Sequence, residues 1–266
     1  MLVRVEVEPP IATVTLAHPP VNALSYTVRD ALVAALDRLA ADLEVGAVVL
    51  TGEAGGRDIF CGGSDVTEFE LSGEGPGGGE RTEREMAFVE RLRDQRLPLV
   101  GAVNGAALGG GLELVLACDV VLAAPGARFG FPEIRLGVFP GSHALPLAVR
   151  ALGPHRTRFL ALTGQSVDAE WMRDAGLVAE VVPRDRLLAR ARELAREVAA
   201  FSRESVAAIR EVVEAIAGGS VSERKLIRGH SDRVFRSAEA RARVQAFFEE
   251  RRRRKAGGES MQRDSV

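Results

Sequence analysis

The sequence predicts an α/β protein built around a largely parallel β-sheet. Short apolar runs, typical of buried strands, alternate with glycine-rich loops and helical patterns over the first 183 residues. The unit of strand, glycine loop and helix recurs roughly every 50 residues without detectable sequence identity between units. Strands that alternate with helices form parallel sheets, because each helix carries the chain back to the starting edge. The sequence therefore predicts a spiral of such units.

The apolar runs predict six strands, at residues 2–7, 11–16, 46–52, 99–105, 119–124 and 177–182. The prolines Pro9 and Pro10 form the turn between the first two strands. The run at residues 46–52, GAVVLTG, shows no polar alternation, which is typical of a strand covered on both faces. A sheet with helices on both sides follows from these patterns.

The helical patterns begin after Ser25, a suitable N-cap, over residues 26–43, and continue over residues 80–95. The low-complexity stretch SGEGPGGGE, residues 72–80, indicates a mobile loop. After Pro183 all patterns are helical, at residues 185–201, 204–217 and 238–254. We therefore expect an α/β catalytic core at residues 1–200. Because a helical segment on an α/β core often covers a neighbouring subunit, residues 201–266 would form a helical oligomerisation region with a basic tail.

Composition narrows the classes of function. Apolar residues make up 46% of the 266 residues and charged residues 27%, as in a folded globular protein. The net charge of −2 gives no electrostatic reason to expect nucleic acid, and the run RRRRK at residues 251–255 fits a solvated tail better than a binding patch. The two cysteines, Cys61 and Cys118, lack metal-ligand spacing, and no run reaches the ~20 apolar residues of a membrane span. We expect a cytoplasmic protein without a metal or a membrane partner.

The stretch NGAALGGGLELVLACD, residues 104–119, is the most informative one. The glycines Gly109, Gly110 and Gly111 open an apolar helical pattern, and Glu113 follows two residues later. Glycines at a helix start expose backbone N–H groups, and the helix dipole favours negative charge there. A carboxylate beside such a site suggests acid–base chemistry next to a polarised carbonyl. The alternative is a turn that only packs a helix tightly.

Two further segments point to the same chemistry. The turn in DIFCGGSDVTEF, residues 58–69, places small residues up to Ser64, where a second backbone N–H could reach the same oxygen. In RFGFPEIRLGVFPGSHALP, residues 128–146, Glu133 follows Phe131-Pro132 and lies 20 residues beyond Glu113. That spacing lets a helix and a strand return the chain to one pocket, where two carboxylates can share one water. Taken alone, the turn is also consistent with a structural role, and Glu133 with a surface loop.

Taken together, in this order and spacing, the three segments resemble the crotonase superfamily, also called the enoyl-CoA hydratase/isomerase family. The motifs are Phe-Cys-small-Gly-small-Asp at residues 60–65, Gly-Gly-Gly-x-Glu at 109–113 and Phe-x-x-Pro-Glu at 129–133. The resemblance covers residues 2–183 clearly and the C-terminal helices more loosely. It implies a spiral of ββα repeats with a helical trimerisation region, assembled as a trimer or a dimer of trimers. The implied ligand is an acyl-CoA thioester.

The resemblance also implies roles for individual residues. The thioester carbonyl would be held by the backbone N–H groups of Ser64 and Gly110, and Glu113 and Glu133 match both acidic positions of the hydratases. Glu133 would give the proton to C2 and Glu113 would orient water, so that a 2-enoyl-CoA becomes a 3-hydroxyacyl-CoA without a metal or redox cofactor. CoA contacts are expected near a set of family positions, namely Asn22, Ala23, Leu24, Gly62, Asp65 and Val66.

Some positions depart from the common hydratase pattern. His143 and Pro146 replace small and polar residues near the acyl pocket, and Ser64 replaces the usual Ala or Gly, so that its hydroxyl could also touch substrate. A buried histidine is more often a packed core group than a catalytic one. These departures leave the acyl group, its length and the carrier open. They also leave room for an isomerase, decarboxylase or thioesterase of the same fold, or for a non-catalytic acyl-CoA-binding protein.

Overall fold

In the computed structural model of the protein, the described residues are 2–53, 58–68, 77–201, 203–217 and 238–261. Two β-sheets organise them. Their strands are β1 Val3–Glu8, β2 Ile11–Leu16, β3 Ala47–Gly52, β4 Ile59–Cys61, β5 Leu99–Val103, β6 Ala106–Leu108, β7 Val120–Ala123, β8 Arg128–Gly130, β9 Ser166–Asp168 and β10 Glu180–Val181. The larger sheet has the strand order β1-β2-β3-β5-β7-β10 and the smaller one the order β4-β6-β8-β9. All neighbouring strands are parallel except the pairs β1–β2 and β8–β9.

The helices follow the strands in a regular order. They are α1 Tyr26–Ala41, α2 Gly77–Arg93, α3 Gly110–Leu116, α4 Ala144–Thr163, α5 Ala169–Asp174, α6 Arg184–Ala199, α7 Arg203–Ala217 and α8 Ala238–Met261, with a 3₁₀ helix at Pro132–Leu136. A strand of the large sheet, a strand of the small sheet and a helix recur as β3-β4-α2, β5-β6-α3 and β7-β8-3₁₀. The predicted α/β fold of ββα repeats is confirmed.

The large sheet is buried on both faces, which explains its continuous apolar strands. Along β3 the side chains alternate, so that Val48 and Leu50 join the core that contains α1. Ala47 and Val49 point to the other face and pack in a second cluster with residues of α6. This sheet is the rigid base from which the loops with the predicted site residues extend.

Several predicted boundaries need correction. Helix α2 begins at Gly77, so residues 77–80 of the predicted loop are helical, and residues 72–76 lie outside the described residues. The three-residue strands of the small sheet were not predicted, because so short a run carries no usable periodicity. Helix α4 was not predicted either, since Gly153, at φ 77°, and Pro154 interrupt its pattern.

The C-terminal helices differ in their surroundings. Helix α8 lies against the 3₁₀ helix, where Phe248 is buried. Helix α7 leaves large apolar side chains exposed, among them Ile209 and Val213. No helix in the described ranges combines the length and apolar character needed to cross a membrane.

Candidate active site

A cavity of about 510 Å³ lies between the start of α3, the glycine turn after β4 and the 3₁₀ helix. Six residues predicted for the site line it: Gly62, Ser64, Val66, Gly110, Glu113 and Glu133. Apolar side chains, including Leu136, Val138 and Phe139, form part of the remaining wall, and Phe247 of α8 closes one side. The cavity thus offers polar groups beside an apolar surface, as a ligand site requires.

The glycine triplet is needed because neighbouring groups leave no room for side chains. At Gly109, with φ +52°, a Cβ would lie 2.7 Å from Glu133 Oε1, and at Gly111 it would lie 2.2 Å from the carbonyl oxygen of Cys61. Both contacts are shorter than atoms tolerate, and φ +52° favours glycine. The triplet therefore brings the start of α3 directly against both β4 and Glu133.

Two backbone amides meet at the cavity, those of Ser64 and Gly110. A Cβ placed on Gly110 would lie 3.4 Å from the Ser64 nitrogen, and one placed on Gly63 would lie 3.4 Å from the Gly110 nitrogen. Neither amide donates a hydrogen bond to another residue within the described ranges. Gly63 adopts φ +101°, which turns the chain at this point. The two N–H groups are free to bind one oxygen atom.

Glu113 is buried at the start of α3 and has a hydrogen-bond donor. The hydroxyl of Ser142 donates to Glu113 Oε1. Burial raises the pKa of Glu113 to about 7, while the Ser142 hydroxyl and the Ala144 backbone amide act in the opposite direction. At neutral pH about half of the Glu113 carboxyls are ionised.

Glu133 faces the same cavity, and its own backbone amide donates to its carboxyl. Its Oε2 atom is buried and has no hydrogen-bond partner within the described part of the chain. Burial raises the pKa of Glu133 to about 8, and the charge of Glu113 adds to the increase. The two carboxyls therefore differ in their surroundings, since the Ser142 hydroxyl favours the ionised form of Glu113 and burial favours the protonated form of Glu133.

The other predicted ligand residues do not line the cavity. The side chain of Asn22 is engaged with the backbone, donating to the Phe60 carbonyl at 3.1 Å and accepting from the His18 amide at 3.0 Å. Leu24 pairs with Ser64 in an isolated β-bridge, and Ala23 lies between Asn22 and Leu24 in sequence. The carboxylate of Asp65 accepts bonds from Thr67. These four residues shape the loop beside the cavity, and their contact with CoA stays a prediction.

His143 also stands outside the cavity lining. It precedes α4, is buried, and its Nε2 atom lies 3.1 Å from Glu90 Oε1. Burial lowers the pKa of His143, although the bond to Glu90 opposes this effect. These contacts fit a packed core histidine, the alternative favoured by its sequence context.

Two features near the cavity were not predicted. One is Ser142, which holds Glu113, and the other is a buried group of charged residues behind Ser64, formed by Arg29, Arg81 and Glu85. A signal for the second was present, because Arg29 lies on the apolar face of α1 beside Val28. A charged residue at such a position requires a buried partner. No group of three or more potential metal ligands occurs in the described segments.

The comparison with known proteins shows which family the chain belongs to. A family model described as enoyl-CoA hydratase/isomerase matches residues 6–255 of the chain. The chain belongs to this family. The resemblance to the crotonase superfamily is thereby confirmed, as is the expectation of an enzyme of the lyase type.

Similar proteins are found among both sequences and structures. A probable enoyl-CoA hydratase of Mycobacterium bovis is 36% identical over 238 residues, which cover 89% of each chain. The 2,3-dehydroadipyl-CoA hydratase of Escherichia coli is 34% identical over 81% of this chain and 85% of its own length. A crystal structure of an enoyl-CoA hydratase/isomerase from Xanthobacter autotrophicus superposes with a TM-score of 0.85 at 28% identity, covering 95% of this chain and 93% of that one.

Proposed function

We propose that the protein adds water across the 2,3 double bond of a 2-enoyl-CoA thioester and forms a 3-hydroxyacyl-CoA. The observation that carries the proposal is the pair of buried carboxyls in one cavity, where the Ser142 hydroxyl donates to Glu113 and the Oε2 atom of Glu133 has no partner within the described residues. A hydratase needs one group that accepts a proton from water and another that supplies a proton to carbon. Because their pKa values are raised, to about 7 for Glu113 and about 8 for Glu133, both carboxyls can exchange protons near neutral pH.

The first step is the attack of water on C3. Ionised Glu113 accepts a proton from the water while the water oxygen forms the bond to C3. The electron pair of the double bond moves toward the thioester, whose oxygen becomes an enolate. The free amides of Ser64 and Gly110 donate to this oxygen, and each well-placed donor of this kind contributes about 3–4 kcal/mol to the transition state.

The second step is protonation of C2. The enolate collapses, a C–H bond forms at C2, and the proton comes from Glu133. The reaction leaves Glu113 protonated and Glu133 ionised, and exchange with solvent restores the starting state. Because the thioester itself stabilises charge at C2, the reaction requires no metal or redox cofactor, and activity should be unchanged after treatment with EDTA.

The test is a hydration assay on 2-enoyl-CoA esters of increasing length and branching, followed by loss of the conjugated absorbance. Glu113→Gln and Glu133→Gln keep the size of each side chain but remove its acid–base function. We expect the hydration rate of both variants to fall by at least about 10²-fold while CoA binding is retained. Turnover that survives either substitution would contradict the two-carboxylate mechanism and direct attention to isomerase, decarboxylase or thioesterase substrates.

We also propose that the protein assembles as a homotrimer or a dimer of trimers through its C-terminal helices. The support is the exposure of large apolar side chains around α7, with Phe201 67%, Ile209 64% and Val213 58% exposed. Such a surface is unfavourable in water unless it is covered. Light scattering coupled to size-exclusion chromatography tests this, and a monomer at micromolar concentration would contradict it.

A further inference from the structure

A buried polar cluster lies directly behind the glycine turn that carries Ser64. It contains Arg29 from α1 and Arg81 and Glu85 from α2, which are 5%, 6% and 8% exposed. Arg81 and Glu85 line the cavity together with Ser64, whose hydroxyl is hydrogen-bonded to Arg29 and Glu85. The proposed reaction gives these charged groups no role, although burying them is costly.

The hydrogen bonds in the cluster converge on two atoms. Arg29 Nη2 donates to Ser64 Oγ at 2.9 Å and to Glu85 Oε1 at 3.0 Å. Ser64 Oγ donates to the same Glu85 oxygen at 3.0 Å, and Arg81 Nη1 donates to it at 3.3 Å. The one proton of the Ser64 hydroxyl is therefore committed to Glu85, so the hydroxyl anchors the turn and does not donate to a substrate.

The partners of Ser64 are themselves held in place. The guanidinium of Arg29 lies 5.7 Å from the ring centre of Tyr26 and 5.9 Å from that of Phe88, and its Nη1 is 3.7 Å from Glu68. Burial alone would raise the pKa of Glu85, but the charges of Arg81 and Arg29 outweigh it and lower that pKa. Glu85 therefore stays ionised, and its bonds are of the strong, charge-assisted type.

An anchor at Ser64 has a direct consequence for the neighbouring amide. The residues before Ser64 are Gly62 and Gly63, and glycine leaves a turn with more conformational freedom than any other residue. We propose that Arg29 and Glu85 are positioning residues, which act through the Ser64 hydroxyl to hold the Ser64 backbone amide in place beside that of Gly110. The inference rests on the proposed function, because it requires that the two amides form an oxyanion hole.

The experiment measures oxyanion binding apart from turnover. Acetoacetyl-CoA is the probe, because its enolate absorbs in the near ultraviolet and its enolised fraction rises above that of the free ester at the same pH where a site stabilises the oxyanion. Ser64→Ala removes the anchor but keeps the amide, and Arg29→Met removes the cation at similar size. We expect both variants to lower kcat about 10- to 100-fold and to weaken the enolate band, with KM nearly unchanged. Arg29→Lys, which keeps a donor, should restore most of the loss.

Two control variants change the same residue types, a serine and an arginine, at positions that do not line the cavity. Ser166→Ala in β9 and Arg91→Lys, in an exposed ion pair with Asp37, should leave kcat and the enolate band at wild-type values. A wild-type kcat and an intact enolate band in Ser64→Ala would overturn the inference. A rise in KM without a change in kcat would also overturn it. If Arg29→Met does not fold, Ser64→Ala and Arg29→Lys still decide the question.

The wild-type protein separates this inference from the proposed function. An enolate band that weakens in Ser64→Ala, in a protein that hydrates no enoyl-CoA, would support the anchor and refute the hydratase reaction. If the wild-type protein hydrates enoyl-CoA and the enolate band of Ser64→Ala is unaffected, the hydratase reaction is supported and the anchor is refuted. A wild-type protein that forms no band with bound acetoacetyl-CoA would overturn the inference, because no oxyanion site would then exist to be positioned.

Discussion

Replacement of Ser142 by alanine tests the electrostatic difference between the two glutamates. The Ser142 hydroxyl donates to Glu113 Oε1 and favours the ionised carboxylate. A hydrogen bond to a charged group contributes about 1.5–3 kcal/mol, so its loss should raise the pKa of Glu113 by about 1–2 pH units above the value of about 7. The charge of Glu113 contributes to the raised pKa of Glu133, so a Glu113 that stays protonated should lower the pKa of Glu133 from about 8.

The activity of the wild-type protein should therefore rise with pH as Glu113 ionises near 7 and fall as Glu133 loses its proton near 8. In Ser142→Ala the ionised fraction of Glu113 at pH 7 falls from about one half to between about one tenth and one hundredth, and kcat/KM should fall about 5- to 50-fold. Part of this loss should be recovered as the pH is raised toward 8.

The assay is the pH profile of kcat/KM for the best enoyl-CoA ester, measured for the wild type, Ser142→Ala and the Ser166→Ala control. The acidic limb should move to higher pH in Ser142→Ala alone, while the basic limb should not move to higher pH. An acidic limb at the wild-type position, or a loss of activity that is equal at every pH, would refute the assignment of that limb to Glu113.

Three further predictions concern stability and packing. The folded-state pKa of Glu133, about 8, lies above the ordinary glutamate value of about 4.5, so the protonated form is favoured by folding and stability is lost as the pH rises from about 4.5 through about 8. Glu133→Gln should have a higher Tm than wild type at pH 9 and an equal one at pH 5, and an equal Tm at both would contradict this. Gly109→Ala, at φ +52° and against Glu133, should lose about 1–3 kcal/mol in urea unfolding as well as activity, and wild-type values would show that the contact can relax. Ser25→Ala removes the cap of α1, where Oγ accepts from Val28, and should cost about 0.5–2 kcal/mol without moving the pH profile. A shifted profile would mean that α1 affects the site directly.

The elements that could be predicted from the sequence are those whose own residues carry the pattern. Strand β2 begins and ends where its apolar run does, and Ser25 caps α1 as its position indicates. The glycine triplet and the Pro-Glu pair likewise carry their signals within a few residues, and the structure brings Glu113 and Glu133 to one cavity. Their catalytic roles stay predictions.

The elements that could not be predicted depend on contacts between distant positions. Ser142 is 29 residues from Glu113, and Arg29 is 56 residues from Glu85, so neither hydrogen bond leaves a periodic trace in the sequence. The strands of the small sheet take their stability from neighbours and not from their own short runs. Only the charge of Arg29 on an apolar helix face hinted at a buried partner.

The most direct measurement is mass spectrometry of the product formed from the best 2-enoyl-CoA ester of the panel in ¹⁸O-labelled deuterated water. Addition of water by Glu113 and Glu133 should place one ¹⁸O at C3 and one deuterium at C2, with the thioester intact. An isomerase would incorporate no ¹⁸O, and a thioesterase would place it in a free carboxylate. Either of those outcomes, or recovery of unlabelled substrate, would contradict the account of the protein as a two-carboxylate hydratase.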